Sequence, residues 1–134
     1  MRIEELATPC YVIDEAKLKE NLRILKGVQD ETGCRILLAQ KAFSCYALYP
    51  LIGQYLAGTT ASGLYEARLG AEEMGGETHV FSPAYRPEDM KELTKSCDHI
   101  IFNSISQLNR YRDLCRGVSA GLRVNPECST QEGH

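Results

Sequence analysis

Between residues 35 and 124 the sequence changes period repeatedly. Short β-branched and aromatic runs alternate with stretches of about ten residues whose apolar positions recur at helical spacing. Strand-like runs fall at residues 35–38, 59–62, 78–82, 99–102 and 120–124, and helix-like stretches at 46–57, 64–74, 86–96 and 104–116. Parallel neighbours need a crossover of about a dozen residues, so this rhythm commits the chain to βαβ units rather than to hairpins. Turn residues punctuate it: Gly58 and the pair Gly75 and Gly76 close helical stretches, Pro87 suits a first turn, and Ser104 suits an N-cap.

Upstream, residues 9–13 (PCYVI) read as one more strand, stopped by Asp14, which can cap a helix. Leu18, Leu22, Leu25 and Val28 then recur at three- and four-residue steps, and Gly33 follows as a stop. The pattern is therefore an outlying strand, then five strands with four intervening helices. Two architectures fit it: an open doubly wound sheet, or part of an eight-stranded βα barrel. The open sheet usually carries a glycine-rich turn after its first strand. Here that turn is KAFS, without glycine. A full barrel needs about 250 residues, against 134 here. The expectation is a fragment with about five of the eight units, and a compact five-stranded protein is the alternative.

A net charge of −3, with acids and bases interspersed, leaves no basic stripe to neutralise phosphates, so no nucleic-acid partner is expected. No apolar run approaches the roughly 20 residues that span a bilayer, and the start MRIEELATP lacks a secretory pattern. The reading is a cytoplasmic protein without a membrane partner. The six cysteines form no C-x-x-C pair and no histidines cluster in the sequence, so no metal site is expected. Most of the thiols are expected to be buried and reduced.

Lys41 directly follows the run ILLAQ. At the carboxyl end of a barrel strand it would face the active-site mouth. An amine there, partly desolvated by Phe43 and its neighbours, can attack an aldehyde and hold it as a Schiff base. The same placement suits a lysine whose stem crosses apolar surface while its head reaches water. His79 and His99, within or beside strands, read as hydrogen-bonded structural histidines, and Glu66, Glu72 and Glu73 as a solvated helix face. Arg123, inside GLRV, reads as a buried charge that needs either an anionic ligand or a structural ion pair.

Several segments together carry a resemblance. TPCYVID, LLAQKAFS, GTTASGLYEARLG, VFSPAYR, IIFNSISQLNRY and GLRVNPE resemble, in order, the amino-terminal part of the fold-type III pyridoxal-phosphate decarboxylases. That family includes diaminopimelate and ornithine decarboxylases. The nearest pattern is that of members acting on carboxynorspermidine and carboxyspermidine.

The resemblance implies a partial (β/α)8 barrel of the alanine racemase-like type over residues 15–134. Residues 1–14 would then be the strand and lead-in of a carboxyl-terminal β domain. It implies pyridoxal 5'-phosphate as cofactor, an amino-acid or polyamine substrate, and a homodimer. Lys41 would be the Schiff-base lysine, with Arg123 and Ser62 near the cofactor. The chain departs from the pattern in having Thr59 and Thr60 where relatives often have aspartate, and in placing a glutamate four residues after Ser62 rather than three. The ring-stacking histidine, the phosphate loop and the residues shared across the dimer would lie beyond His134. Alternatives are a diaminopimelate decarboxylase or racemase on the same barrel, a non-catalytic cofactor-binding protein, and an inactive truncated product.

Overall fold

A computed structural model describes residues 3–128. Strands β1 (Leu37–Ala39), β2 (Gly58–Ala61), β3 (Glu77–Phe81), β4 (His99–Phe102) and β5 (Ser119–Leu122) form one parallel sheet in sequential order. Helix α1 (Glu15–Thr32) precedes the sheet; α2 (Tyr49–Ile52), α3 (Leu64–Glu73), α4 (Pro87–Ser96) and α5 (Ile105–Tyr111) fill the crossovers. Right-handed crossovers between strands added always on the same side place every helix on one face. A doubly wound sheet reverses its strand order at a switch point, and no reversal occurs among the described strands. The order is that of a βα-barrel arc.

Local chemistry explains the element ends. Asp14 Oδ1 accepts from the backbone N–H of Ala16 at 3.0 Å and of Lys17 at 3.2 Å, and Gly33 closes α1 in the left-handed region at φ 71°. Pro87 opens α4, where its missing N–H has no intrahelical partner to lose. Gly58 has no substitute: a Cβ there would lie 1.9 Å from the Glu77 carbonyl oxygen on the adjacent strand.

The core lies between the sheet and the helices, in two parts. Ala61, Val80, Ile100 and Phe102 from the strands pack with Ala67, Met90, Leu93 and Tyr111 from α3 to α5. Leu22, Tyr49, Ile52 and Leu56 form the second part, joined by Leu38 from β1. Gly70 lets α3 settle onto the sheet, since its Cβ would meet Thr59 Oγ1 at 2.2 Å and Gln40 Nε2 at 2.8 Å.

Several expectations are corrected. Residues 9–13 form no strand; Tyr11, Val12 and Ile13 stand in solvent, because an extended segment becomes a strand only beside a partner and none lies against it among the described residues. The helix expected over 46–57 is a 3₁₀ turn, Tyr46–Leu48, and the single turn α2. Pro50 is tolerated only in a first turn, and Gly53 follows at once as the C-cap. The helix expected over 104–116 stops at Tyr111. Of the six cysteines only Cys97 and Cys115 are buried; Cys10, Cys34, Cys45 and Cys128 are exposed, and all six are free. Among the described residues no helix is long and apolar enough to cross a membrane.

Filling the α3 contact should be costly. Gly70→Ala is expected to lower the unfolding free energy by about 1–3 kcal/mol through overpacking, read as a lower urea midpoint at an unchanged m-value.

Candidate active site

Successive strand residues point to opposite faces. Thr59, Thr78, Val80, Ile100 and Phe102 are buried under the helices. The alternate set, Ala39, Thr60, His79, His99 and Gly121, therefore lines the other face. Phe81 at the end of β3 shares that face, and continuing the same alternation past the other strands brings Lys41, Ser62, Asn103 and Arg123 to it, at the carboxyl ends where open α/β sheets and barrels place their ligands.

A cleft of about 100 Å³ opens there, lined by Ala39, Lys41, Thr60, Ala61, Ser62 and Phe81. The structure thus brings two of the three expected site residues, Lys41 and Ser62, into one cleft. Lys41 stands in the turn just after β1 and is exposed, so the expected desolvation within an apolar run is absent: the run ends at Ala39, and the lysine lies beyond the strand.

The turn that carries Lys41 is anchored by its neighbour. Gln40 is 1% exposed, packed against Gly70 and Thr59, and its Oε1 accepts from the Tyr49 hydroxyl at 3.2 Å. Burial raises the pKa of the Tyr49 phenol above its ordinary value, so the hydroxyl keeps the proton it donates. Gln40 Nε2 and Thr59 Oγ1 are buried without hydrogen-bond partners. Two backbone bonds to Ala39 O, from Ala42 N at 3.0 Å and Phe43 N at 3.1 Å, close the turn.

Arg123 also departs from expectation. It lies one residue past β5, exposed rather than buried. Its partners among the described residues are Asn103 Oδ1, to which Nη1 donates at 3.1 Å, and the Phe81 ring, whose centroid lies 5.5 Å from the guanidinium carbon. No described carboxylate pairs with it, which sets the structural ion pair aside. Through Phe81 it adjoins the cleft.

Three strand ends are locked in the same way. The backbone N–H of Ser62 donates to Glu66 Oε2 at 2.7 Å, that of Ser82 to the Tyr85 hydroxyl at 2.9 Å, and that of Asn103 to Gln107 Oε1 at 2.9 Å. Each is the first residue past its strand. Glu66 therefore caps a loop instead of belonging to a solvated face, and Tyr85 and Gln107 were not anticipated at all. Gln107 Nε2 further donates to Pro83 O at 3.2 Å, and the Tyr111 hydroxyl to Tyr85 O at 2.9 Å. Phe81 and Asn103 were also missed, although counting in twos along their strands would have placed them beside Lys41 and Arg123.

The chain is similar over nearly its whole length to curated decarboxylases. It is 43% identical over 130 residues to a carboxyaminopropylagmatine decarboxylase of Synechocystis sp., covering 96% of this chain and 34% of that protein. It is 42% identical over 124 residues to the carboxynorspermidine/carboxyspermidine decarboxylase of Herminiimonas arsenicoxydans, covering 92% and 34%. The Campylobacter jejuni protein of that same name is 37% identical over 129 residues, covering 96% and 34%. No family model matches.

Among solved structures, carboxynorspermidine decarboxylase from Campylobacter jejuni, complexed with norspermidine, superposes with a TM-score of 0.90 at 36% identity, covering 96% of this chain and 35% of that one. D-threonine aldolase from Filomicrobium marinum superposes at 0.79 with 12% identity, covering 98% and 39%, a likeness of fold alone. The chain spans about a third of the length of the relatives it matches.

The Tyr85 lock has a pH signature. Burial above all pushes its phenol from 10.0 up to about 12, so the folded chain holds the proton over a range in which the unfolded chain releases it. The associated stability is complete below pH 10 and is lost as pH rises towards 12. The urea midpoint is expected to fall more steeply over that interval than in Tyr85→Phe, which has nothing to titrate there; parallel curves would refute the lock.

Proposed function

We propose that this chain forms the lysine-bearing part of a pyridoxal-phosphate-dependent decarboxylase acting on carboxylated polyamines such as carboxynorspermidine or carboxyspermidine. The observation that carries the reading is 37–43% identity, over almost the whole chain, to three decarboxylases named for substrates of this kind. The cleft supports it. An exposed primary amine, two hydroxyl side chains and an aromatic ring meet at the carboxyl ends of β1 to β3, a donor set that fits an aldehyde cofactor with a planar ring.

When bound, pyridoxal phosphate supplies an aldehyde for the amine and a sink for the electron pair left as carbon dioxide departs. The rest falls to the protein. Lys41 would hold the cofactor through its amine, and at the mouth of the cleft that amine is placed to carry a proton to or from the reacting carbon. Gln40 and Tyr49 keep that amine at the cleft by fixing the turn behind it. Ser62 and Thr60 offer hydroxyl donors from β2. Phe81 forms an apolar wall, and Arg123, held by Asn103, places positive charge beside that wall. We further read residues 15–134, described up to Cys128, as consecutive βα units of a barrel whose remaining wall lies elsewhere in the protein. The one-directional strand order and the open inner face of β1 to β5 support this.

Borohydride reduction of the holoenzyme followed by peptide mapping is expected to place the pyridoxyl group on Lys41. Lys41→Ala is expected to lower kcat by at least about a thousandfold. Label on Lys17, Lys26 or Lys91 would overturn the assignment. Arg123→Leu is expected to weaken cofactor retention about tenfold, a loss of about 1.4 kcal/mol, measured by absorbance after dialysis. Unchanged retention and turnover would remove Arg123 from the site.

A further inference from the structure

His79 and His99 are separated by 20 residues of sequence, yet register pairs them directly across β3 and β4. Alternation puts both on the face of the sheet away from the helices. Their rings stack with centroids 4.0 Å apart and planes 28° apart. Glu77, two residues before His79, is on the same face, and its Oε2 lies 3.2 Å from His79 Nε2. One ligand atom from each of Glu77, His79 and His99 falls within 4.8 Å of the others, and all three residues are half-buried.

Of the four imidazole nitrogens, only His79 Nε2 has a hydrogen-bond partner among the described residues. The other carboxylate oxygen of Glu77 is occupied: Oε1 forms an ion pair with Arg35 Nη1 at 2.5 Å. This is an outer contact of the kind that orients a ligating carboxylate, with its second oxygen turned towards His79. Gly58, the register neighbour of Glu77 on β2, adds no side chain beside the carboxylate. Around the rings the same layer is small: Ala39, Thr60 and Ser119 are the register neighbours.

We propose that Glu77, His79 and His99 bind a divalent cation of the zinc class, with the fourth position left to water. Two imidazoles and one carboxylate suit Zn²⁺ or Co²⁺ rather than the all-oxygen shells of Ca²⁺ or Mg²⁺. Zn–N bonds of about 2.0–2.1 Å put neighbouring ligand atoms of a tetrahedral site roughly 3.3 Å apart. The Glu77–His79 pair already has that spacing, and His99 needs only a side-chain adjustment. The ion would tie β3 to β4 on the inner face, in the layer beneath the cleft, where Thr60 belongs to both. This site does not depend on the decarboxylase reading.

The test is a Co²⁺ titration of the untagged, metal-stripped protein, with the exposed thiols alkylated, followed by visible absorption and calorimetry. One equivalent is expected to bind with the spectrum of nitrogen and oxygen ligands, and Zn²⁺ is expected to displace it and raise the melting temperature. His79→Gln and His99→Gln are each expected to weaken Co²⁺ binding at least about tenfold, and Arg35→Gln by less. Absence of stoichiometric binding, a thiolate-to-metal band, or unaltered affinity in both histidine variants would overturn the site. Should a histidine variant fail to fold, the wild-type spectrum decides alone.

Discussion

The arrangement at the carboxyl ends of the strands depends on one recurring interaction, the capture of the first backbone N–H past a strand by a side chain three or four residues further on. Glu66, Tyr85 and Gln107 perform it after β2, β3 and β4 with a carboxylate, a phenol and an amide. A parallel strand leaves its last polar groups without ladder partners where the chain turns away, and leaving them unpaired costs about as much as a lost hydrogen bond. Satisfying them locally fixes the loops in which Ser62, Ser82 and Asn103 lie. The strand ends can then present side chains to a ligand with little reorganisation, which is what binding and catalysis require of a scaffold.

The second consequence of the sheet is a division of labour between its faces. The helix-covered face is apolar and closely packed, down to Gly70, where α3 has no room for a methyl group. The other face carries almost all the chemistry: Lys41, Ser62, Arg123, Glu77 and the two histidines. Because side chains alternate strictly, one choice of register assigns all of them together, and slipping a strand by one residue would exchange the two faces. Gly58, pressed against the Glu77 backbone, helps to fix that register between β2 and β3.

Where the sequence was misread, the cause was a non-local partner or the lack of one. PCYVI has the composition of a strand, but pairing is a property of two segments, and the described residues supply only one. Arg123 looked buried because its neighbours are apolar, yet β5 lies at the edge of the described sheet and the guanidinium extends over Phe81 into solvent. Lys41 looked desolvated for the same reason, and a two-residue shift beyond β1 exposes it. Residues 46–57 have helical spacing, but Pro50 and Gly53 limit the α-helix to a single turn, an outcome that residue chemistry alone could have indicated.

The alternation of short β-branched runs with amphipathic stretches determined the βαβ class, the five strands, the caps at Asp14 and Ser104, and Lys41 as the lysine at a strand end. These are decided by period and by local hydrogen bonding, which act within a few residues of chain. Only the tertiary structure decided that Glu77, His79 and His99 meet, that Gln40 and Tyr49 hold the lysine turn, and that Arg123 rests on an aromatic ring. Such contacts join residues up to 42 positions apart along the chain, and they form because parallel crossovers bring strands distant in sequence to hydrogen-bonding distance, a separation that no local pattern encodes.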